Sequence, residues 1–432
     1  MKNYLRFSVL ALFCCLCFTE PAGAQFWKKK AKSEKKSGRK PPATQKQANK
    51  KEDAKLRKRT EPEYPASEKK DAYRVDILLP LQLSSLVQND KLVQKRIPES
   101  VMQHIHFYEG VSLAAQALRD KQITLDVYVH DINDPEGNIQ HLINNNSLKQ
   151  SDLIIGALQS TEIPAVADFA VKNKINFVSS LSPSDAGIKN NPYFLLLQPT
   201  LSTHLTQLIG YANKKFHKKK KYILHKSNTS GEKEAYLQFR DALEEEKDLQ
   251  IIDCSRFDMN VDSLAKIFDS TQVNVVYVSV LDLSNAEKIL NTLAQLPSEY
   301  RFEIFGMPSW KSLRGLSQSS AYMNLSIYYT SPFFYDPTTG AGKYVSSEYK
   351  KEYGGIPSEM VYRGYESLYW MTTLLEKYGP VFNQNLSDVS AAPFTRYELQ
   401  PVWSKDNEYL YLENKKLYIF HYQNGGYIIE QQ

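Results

Sequence analysis

Two strand-to-helix turns carry hydroxyls, amides and a carboxylate at a spacing suited to holding a small polar molecule. Gly156-Ala157-Leu158-Gln159-Ser160-Thr161 follows the apolar run 153–157, and Ser182-Pro183-Ser184-Asp185 follows the run 176–180. Open α/β sheets take ligands beyond the carboxyl ends of their strands, where helix starts offer unpaired backbone N–H groups. Gln159, Ser160, Thr161, Ser182, Ser184 and Asp185 are therefore candidate ligand contacts. A set of hydroxyls with no adjacent base points to binding rather than to bond making.

Catalytic readings of the other motifs fail on their own chemistry. DPTTGAGKY at 336–344 resembles half of a phosphate loop, but Pro337 stands where glycine is needed and Tyr344 where Ser or Thr would hold magnesium. A turn entering a helix explains it. Ser347 and Lys350 have the serine-lysine spacing of penicillin-recognising enzymes without their partner motifs. His104 and His106, two apart on an expected helix, point to different sides. With no His-Glu-x-x-His pattern and no cysteine pair, neither a metal nor a cofactor is expected, and the chain is not read as an enzyme.

The elements around the two turns alternate in type. Apolar β-branched runs at 75–81, 125–130, 153–157 and 176–180 are separated by amphipathic stretches at 99–119, 137–147 and 163–173. That grammar predicts βαβ units and a parallel sheet. A second series follows Pro199, with strands at 222–225, 250–253, 273–280 and 302–306 between helices at 203–215, 232–246, 263–269 and 286–295. Residues 326–336 read as an extended crossing, 344–353 and 359–378 as helices, and 409–412, 417–422 and 427–430 as a terminal meander. The 28 tyrosines fit strand and helix faces, whereas Tyr328, Tyr329 and Tyr335 on the crossing are expected to border a cleft.

Charge is unevenly spread. Residues 25–72 hold 17 Lys and Arg against 7 Asp and Glu, net +10, while residues 73–432 net −5. The mildly acidic remainder excludes a general nucleic-acid binder. The Lys-rich stretch is expected to be a disordered linker that could contact anionic membrane or cell wall. Lys2 and Arg6, an apolar core to residue 18 and Ala22-Gly23-Ala24 read as a cleavable signal peptide over 1–24, giving a periplasmic or secreted protein. Ala-Leu-Phe before Cys14 lacks the small residue that lipidation wants. Cys254 alone remains after cleavage, so no internal disulfide is possible.

The order of these elements resembles the type I periplasmic binding-protein family, the leucine-binding-protein-like group. The resemblance rests on VDILLPL at 75–81, FYEGVSLAAQAL at 107–118, Asp131 with Asn133-Asp134, the 156–161 turn, INFVSSLSPSDAG at 175–187, Asn191-Pro192-Tyr193-Phe194, YTSPFF at 329–334 and KEYGGIPSEMVYRGYESLYWM at 351–371. It implies an α/β fold of two doubly wound parallel-sheet lobes joined by three crossing segments, with 73–199 plus 333–385 as the first lobe and 200–332 plus 386–432 as the second. It also implies a non-enzymatic protein that closes on a small polar ligand: amino acid-like, a peptide or a cell-wall fragment. The alternative is the same fold used as an envelope interaction module.

Residue by residue, the resemblance places a ligand hydroxyl at Ser160 and a backbone carbonyl at Ser184. Ala186 stands where relatives have threonine, and Pro308 where they have the acidic partner of a ligand amine. Asp282 and Trp310, with Tyr335 as an aromatic wall, complete the expected contacts from the second lobe and the crossing. Asp185 or Asp282 would have to receive an amine.

Overall fold

The computed structural model describes residues 58–89, 91–93, 95–317 and 321–430. The expected signal peptide and the expected linker up to residue 57 lie outside the described residues.

The first sheet is built on β1 (Tyr73–Leu79), β2 (Leu125–Asp131), β3 (Leu153–Gly156), β4 (Asn176–Ser179) and β5 (Phe194–Leu196). All five are parallel, and β1 sits between β2 and β3 with Val75 opposite Val127 on one side and Leu153 on the other. A parallel strand covered on both faces needs apolar side chains in both directions. In β1, Val75, Ile77 and Leu79 enter one core and Leu78 the other. Helix α1 (Glu99–Asp120) covers the first face and α2 (Ile163–Asn173) the second.

The second sheet repeats the plan with β6 (Lys220–His225), β7 (Gln250–Asp253), β8 (Val273–Ser279), β9 (Arg301–Phe305) and β10 (Ser326–Ser331), interleaved with α3 (Leu201–Phe216), α4 (Ser230–Ala242) and α5 (Leu283–Ala294). Much of the tyrosine content is absorbed here. Register sets Tyr277 beside Phe305 and Phe305 beside Tyr328, with ring centroids 5.4 and 4.7 Å apart. Such aromatic neighbours on adjacent strands stabilise the sheet beyond their buried area. Tyr328 and Tyr329 are consequently core residues of β10, not cleft walls, because the segment expected as a crossing is a strand through Ser331.

The chain then returns to the first lobe through α6 (Gly340–Tyr353) and α7 (Glu359–Tyr378). Helices α1 and α7 cross at two glycines. A Cβ on Gly110 would lie 2.0 Å from the Val361 carbonyl oxygen, and one on Gly364 2.0 Å from that of Phe107, so only glycine lets the backbones come this close. The expected terminal meander is divided. β11 (Leu399–Trp403) and β12 (Tyr409–Asn414) join the first sheet, with Leu412 beside Leu195, whereas β13 (Tyr418–Gln423) and β14 (Gly426–Glu430) extend the second beyond β10. Residues 386–432 thus contribute to both lobes. β12 is buried on both faces and fits only inside a sheet with a second face to cover it.

Three segments pass between the sheets: 197–200, 332–339 and 415–417. Glu413, 1% exposed, knots two of them. Its carboxylate accepts hydrogen bonds from Thr200 N (2.8 Å), Thr200 Oγ1 (2.9 Å), Thr203 Oγ1 (2.7 Å) and Lys415 Nζ (2.6 Å). Asn414 donates to the Leu197 carbonyl oxygen at 3.2 Å.

Residues 58–72, expected as the end of a disordered linker, run without regular structure along the first lobe. Tyr64 meets Tyr193 edge-on at 5.9 Å, Ser67 Oγ accepts from Val381 N at 2.9 Å, and Lys70 pairs with Asp152 at 2.5 Å. These contacts touch the amino ends of β3 and β5, opposite the carboxyl ends where a ligand would enter. The polar composition concealed the one tyrosine that anchors the strap.

Candidate functional site

The carboxyl ends of the strands are shaped by buried carboxylates that collect backbone N–H groups. In the first lobe Asp131 accepts from Leu81 N (2.9 Å), Gln82 N (3.1 Å), Leu83 N (2.7 Å) and Asn133 N (3.2 Å), fixing the turn after β1. In the second lobe Glu232 does the same for Leu281 N (2.9 Å), Asp282 N (3.3 Å) and Asn228 N (3.0 Å). Charge-assisted bonds of this kind make the turns rigid.

On that frame the expected contacts separate. Gln159, Ser160 and Thr161 are exposed on the turn between β3 and α2, and Glu162 accepts from Gln159 N at 2.8 Å. Ser182, Ser184 and Asp185 are half-buried and occupied within their own turn: Ser182 Oγ accepts from Ser184 N, Ser184 Oγ from Ala186 N, and Asp185 Oδ1 from Gly187 N. The second oxygen of Asp185 accepts from Tyr411 OH at 3.0 Å. Asp282 is the exposed N-cap of α5, accepting from Asn285 N at 2.8 Å. Trp310 is fully buried in the second lobe's core, its Nε1 donating to the Val280 carbonyl oxygen at 2.9 Å and its ring filling the space over Gly306. It holds the turn after β9 rather than a ligand. Tyr335 lies on the second crossing, stacked on Tyr362 at 4.1 Å.

The DPTTGAG segment is a helix start: Asp336 Oδ1 accepts from Thr338 N and Thr339 Oγ1 from Gly342 N. Cys254 is half-buried, and burial pushes its thiol up to about 12, so it is unreactive. Among the described residues no group of three or more His, Cys, Asp and Glu side chains could hold a metal ion.

A charged cluster that the sequence motifs do not signal joins the lobes. Lys311, on the turn after β9, pairs with Glu359 at the start of α7 at 2.9 Å, and Arg363 one helical turn on pairs with the same carboxylate at 2.5 Å. Arg363 also donates to Gln198 Oε1 on the first crossing at 3.3 Å, and its guanidinium lies 3.7 Å over the ring of Phe333 on the second. Burial lowers the Lys311 ammonium, helped by the Arg363 charge. Burial opposes ionisation of Glu359, but Arg363 and Lys311 more than offset it and hold its carboxyl below the ordinary range. His204, 2% exposed, bonds Thr330 Oγ1 through Nδ1 at 2.7 Å, and burial reinforced by the Lys311 charge holds its imidazole down at about 3, hence neutral. Glu359 and Arg363, at i and i+4 at the start of α7, were the available signal.

A sequence model of the periplasmic binding protein family matches residues 110–388, well over half of the chain. None of the curated proteins matches it. Among solved structures, a candidate branched-chain amino acid ABC transporter from Rhodospirillum rubrum is similar at 14% identity and TM-score 0.59, over 83% of this chain and all of that one. A branched-chain amino acid ABC transporter periplasmic ligand-binding protein from Burkholderia xenovorans is similar at 12% identity and TM-score 0.53, over 83% of this chain and 94% of that one. An ABC transporter substrate-binding protein from Desulfitobacterium hafniense, in complex with leucine, is similar at 15% identity and TM-score 0.50, over 83% of this chain and all of that one.

Proposed function

Because the chain belongs to the periplasmic binding protein family, we propose that it is an exported, non-enzymatic solute-binding protein whose two lobes close on a small polar ligand. The observation that carries this reading is the arrangement around the cross-lobe cluster. Two mainly parallel sheets are joined by three short segments, two of them knotted at Glu413, and Lys311 of one lobe reaches Glu359 of the other. Short connections that share one polar hub suit hinge bending. The turns fixed by Asp131 and Glu232 would present backbone groups, and the exposed turn before α2 would present Ser160 and Thr161, to whatever enters between the lobes. The strap lies at the opposite ends of the first-lobe strands, away from that entrance.

The leucine held by the Desulfitobacterium hafniense neighbour suggests a small ligand, while Pro308 argues against the same contacts here. Thermal-shift screening of the full chain against amino acids, organic acids, short peptides and muropeptides tests the reading. A ligand at 100 times its Kd stabilises by about 2.7 kcal/mol, and small-angle scattering of that complex should show a smaller radius of gyration. If no solute shifts the melting temperature, the fold acts instead as an envelope interaction module.

A further inference from the structure

We propose that the ligand is a small organic acid without an amine, and that Lys311 and Arg363 take its carboxylate in place of Glu359. This rests on the solute-binding reading and names the chemistry of that site.

The first argument is an inventory of negative charge. Asp131, Glu162, Glu232, Asp282 and Asp185 all accept backbone N–H groups, and Asp185 also the Tyr411 hydroxyl. Diverting Asp131, Glu232 or Asp185 to an ammonium would unpair a donor that both of its oxygens already serve, while Glu162 and Asp282 each hold one amide and sit at the starts of α2 and α5, not on α7. Asp134 has a buried oxygen without a partner, but it belongs to the turn after β2, the edge strand farthest from β12 in the first sheet. An ammonium closed between the lobes near α7 would therefore face two cations and one carboxylate already shared between them.

The second argument is the unspent positive charge. Lys311 and Arg363 together exceed Glu359 by one charge, His204 is neutral, and Glu366, one turn further along α7 and also felt by Arg363, is pushed by burial up to about 7 and so offsets that charge only in part. Lys226, at the carboxyl end of β6 two strands from β9, bonds the neutral amide oxygen of Asn285 at 2.7 Å. Arg363 is 8% exposed and is fixed in plane by Phe333, yet its Nε has no partner. His204 Nε2 is likewise buried without one. A guanidinium clamped at its other nitrogens, with a donor left over, is preorganised for a second planar oxyanion. The cluster also stands at the first turn of the 20-residue α7, whose free N–H groups favour negative charge.

The third argument is access and geometry. The Lys311 and Glu359 side chains are 35% and 30% exposed, so solute can reach the pair. Lys311 belongs to one lobe and Arg363 to the other, so a carboxylate held by both would bridge the lobes as Glu359 does now. The exchange is one anion for another and moves no proton or covalent bond.

Calorimetry on the full chain with lactate, succinate, 2-oxoglutarate and benzoate, against leucine, isoleucine, valine and lysine, tests the proposal. At least one of the four acids is expected to bind, with branched-chain amino acids no tighter than about 10 μM. Glu359→Gln, which removes the internal competitor, should tighten that acid about tenfold, and Lys311→Met should weaken it about tenfold or more. Both sites are partly exposed, and melting temperatures of the variants confirm folding. Submicromolar leucine, isoleucine or valine, or acid binding indifferent to both substitutions, overturns the proposal and leaves lobe closure standing. If no solute in either panel or in the wider screen binds, both fall together.

Discussion

Replacing Glu413 by alanine should loosen the junction between the lobes by an amount that the structure lets one work out. The carboxylate serves four donors: the Thr200 amide, the Thr200 and Thr203 hydroxyls and the Lys415 ammonium. Lys415 is 27% exposed in its side chain and can turn to water, so the ion pair itself is discounted. The Thr203 side chain is in a residue only 8% exposed, and the Thr200 amide is part-buried, so these two donors lose their partner with little compensation. At about 1 to 2 kcal/mol for each stranded group, the loss sums to roughly 3 kcal/mol, while Glu413→Gln, which keeps one acceptor oxygen, should lose about half of that. Urea unfolding followed by far-UV circular dichroism measures both, and hydrogen exchange at residues 200–205 reports whether the change is local. A loss below about 1 kcal/mol for the alanine variant, with exchange at those residues unchanged, would refute the claim that this carboxylate holds the crossings together.

The imidazole of His204 is held at about 3 by burial and by the Lys311 charge, below its unfolded value, so the stability tied to its neutral form is present above about pH 6.5 and is lost as pH falls toward the folded value. Between pH 6.5 and 4 the wild type should lose roughly 3 kcal/mol more than His204→Leu, read from urea midpoints at each pH; parallel curves would contradict the assignment. Truncation before residue 73 should lower stability by about 2 to 4 kcal/mol relative to truncation before residue 58, because the first cut removes Tyr64, Ser67 and Lys70, and equal melting temperatures would show the strap to be idle. Gly364→Ala should cost about 3 kcal/mol or more, since its Cβ would meet the Phe107 carbonyl at 2.0 Å; a melting temperature within a degree or two of wild type would mean that α1 and α7 can separate freely.

The alternation of apolar runs made both sheets legible from the sequence, because βαβ units repeat the same physical requirement: a strand covered twice and a helix covered once. What escaped was whatever depends on partners far along the chain. β5 and β11 are three and five residues long, too short for a periodicity to stand out. Trp310 and Asp185 lie on the expected turns, but side-chain direction decides their roles, and Trp310 turns inward over Gly306 while Asp185 turns to Tyr411. Lys311, the Glu359–Arg363 pair of α7 and His204 come from separate helices and turns and meet only where the lobes join. No spacing rule links residue 204 to residue 311.

The division of the last strands between the sheets has a kinetic consequence. β12 reaches β5 across more than 200 residues and β13 reaches β10 across about 90, so both sheets wait for the end of the chain before they are complete. Such distant pairings carry a loop-closure cost that must be met before any contact offsets it, and they slow folding. Neither lobe is a segment that can be cut out and refolded by itself. A chain ending at Asn414 would leave β10 with an unpaired edge, an invitation to intermolecular strand pairing. Self-association of such a shortened chain, and slow single-phase refolding of the whole one, would be two faces of the same topology.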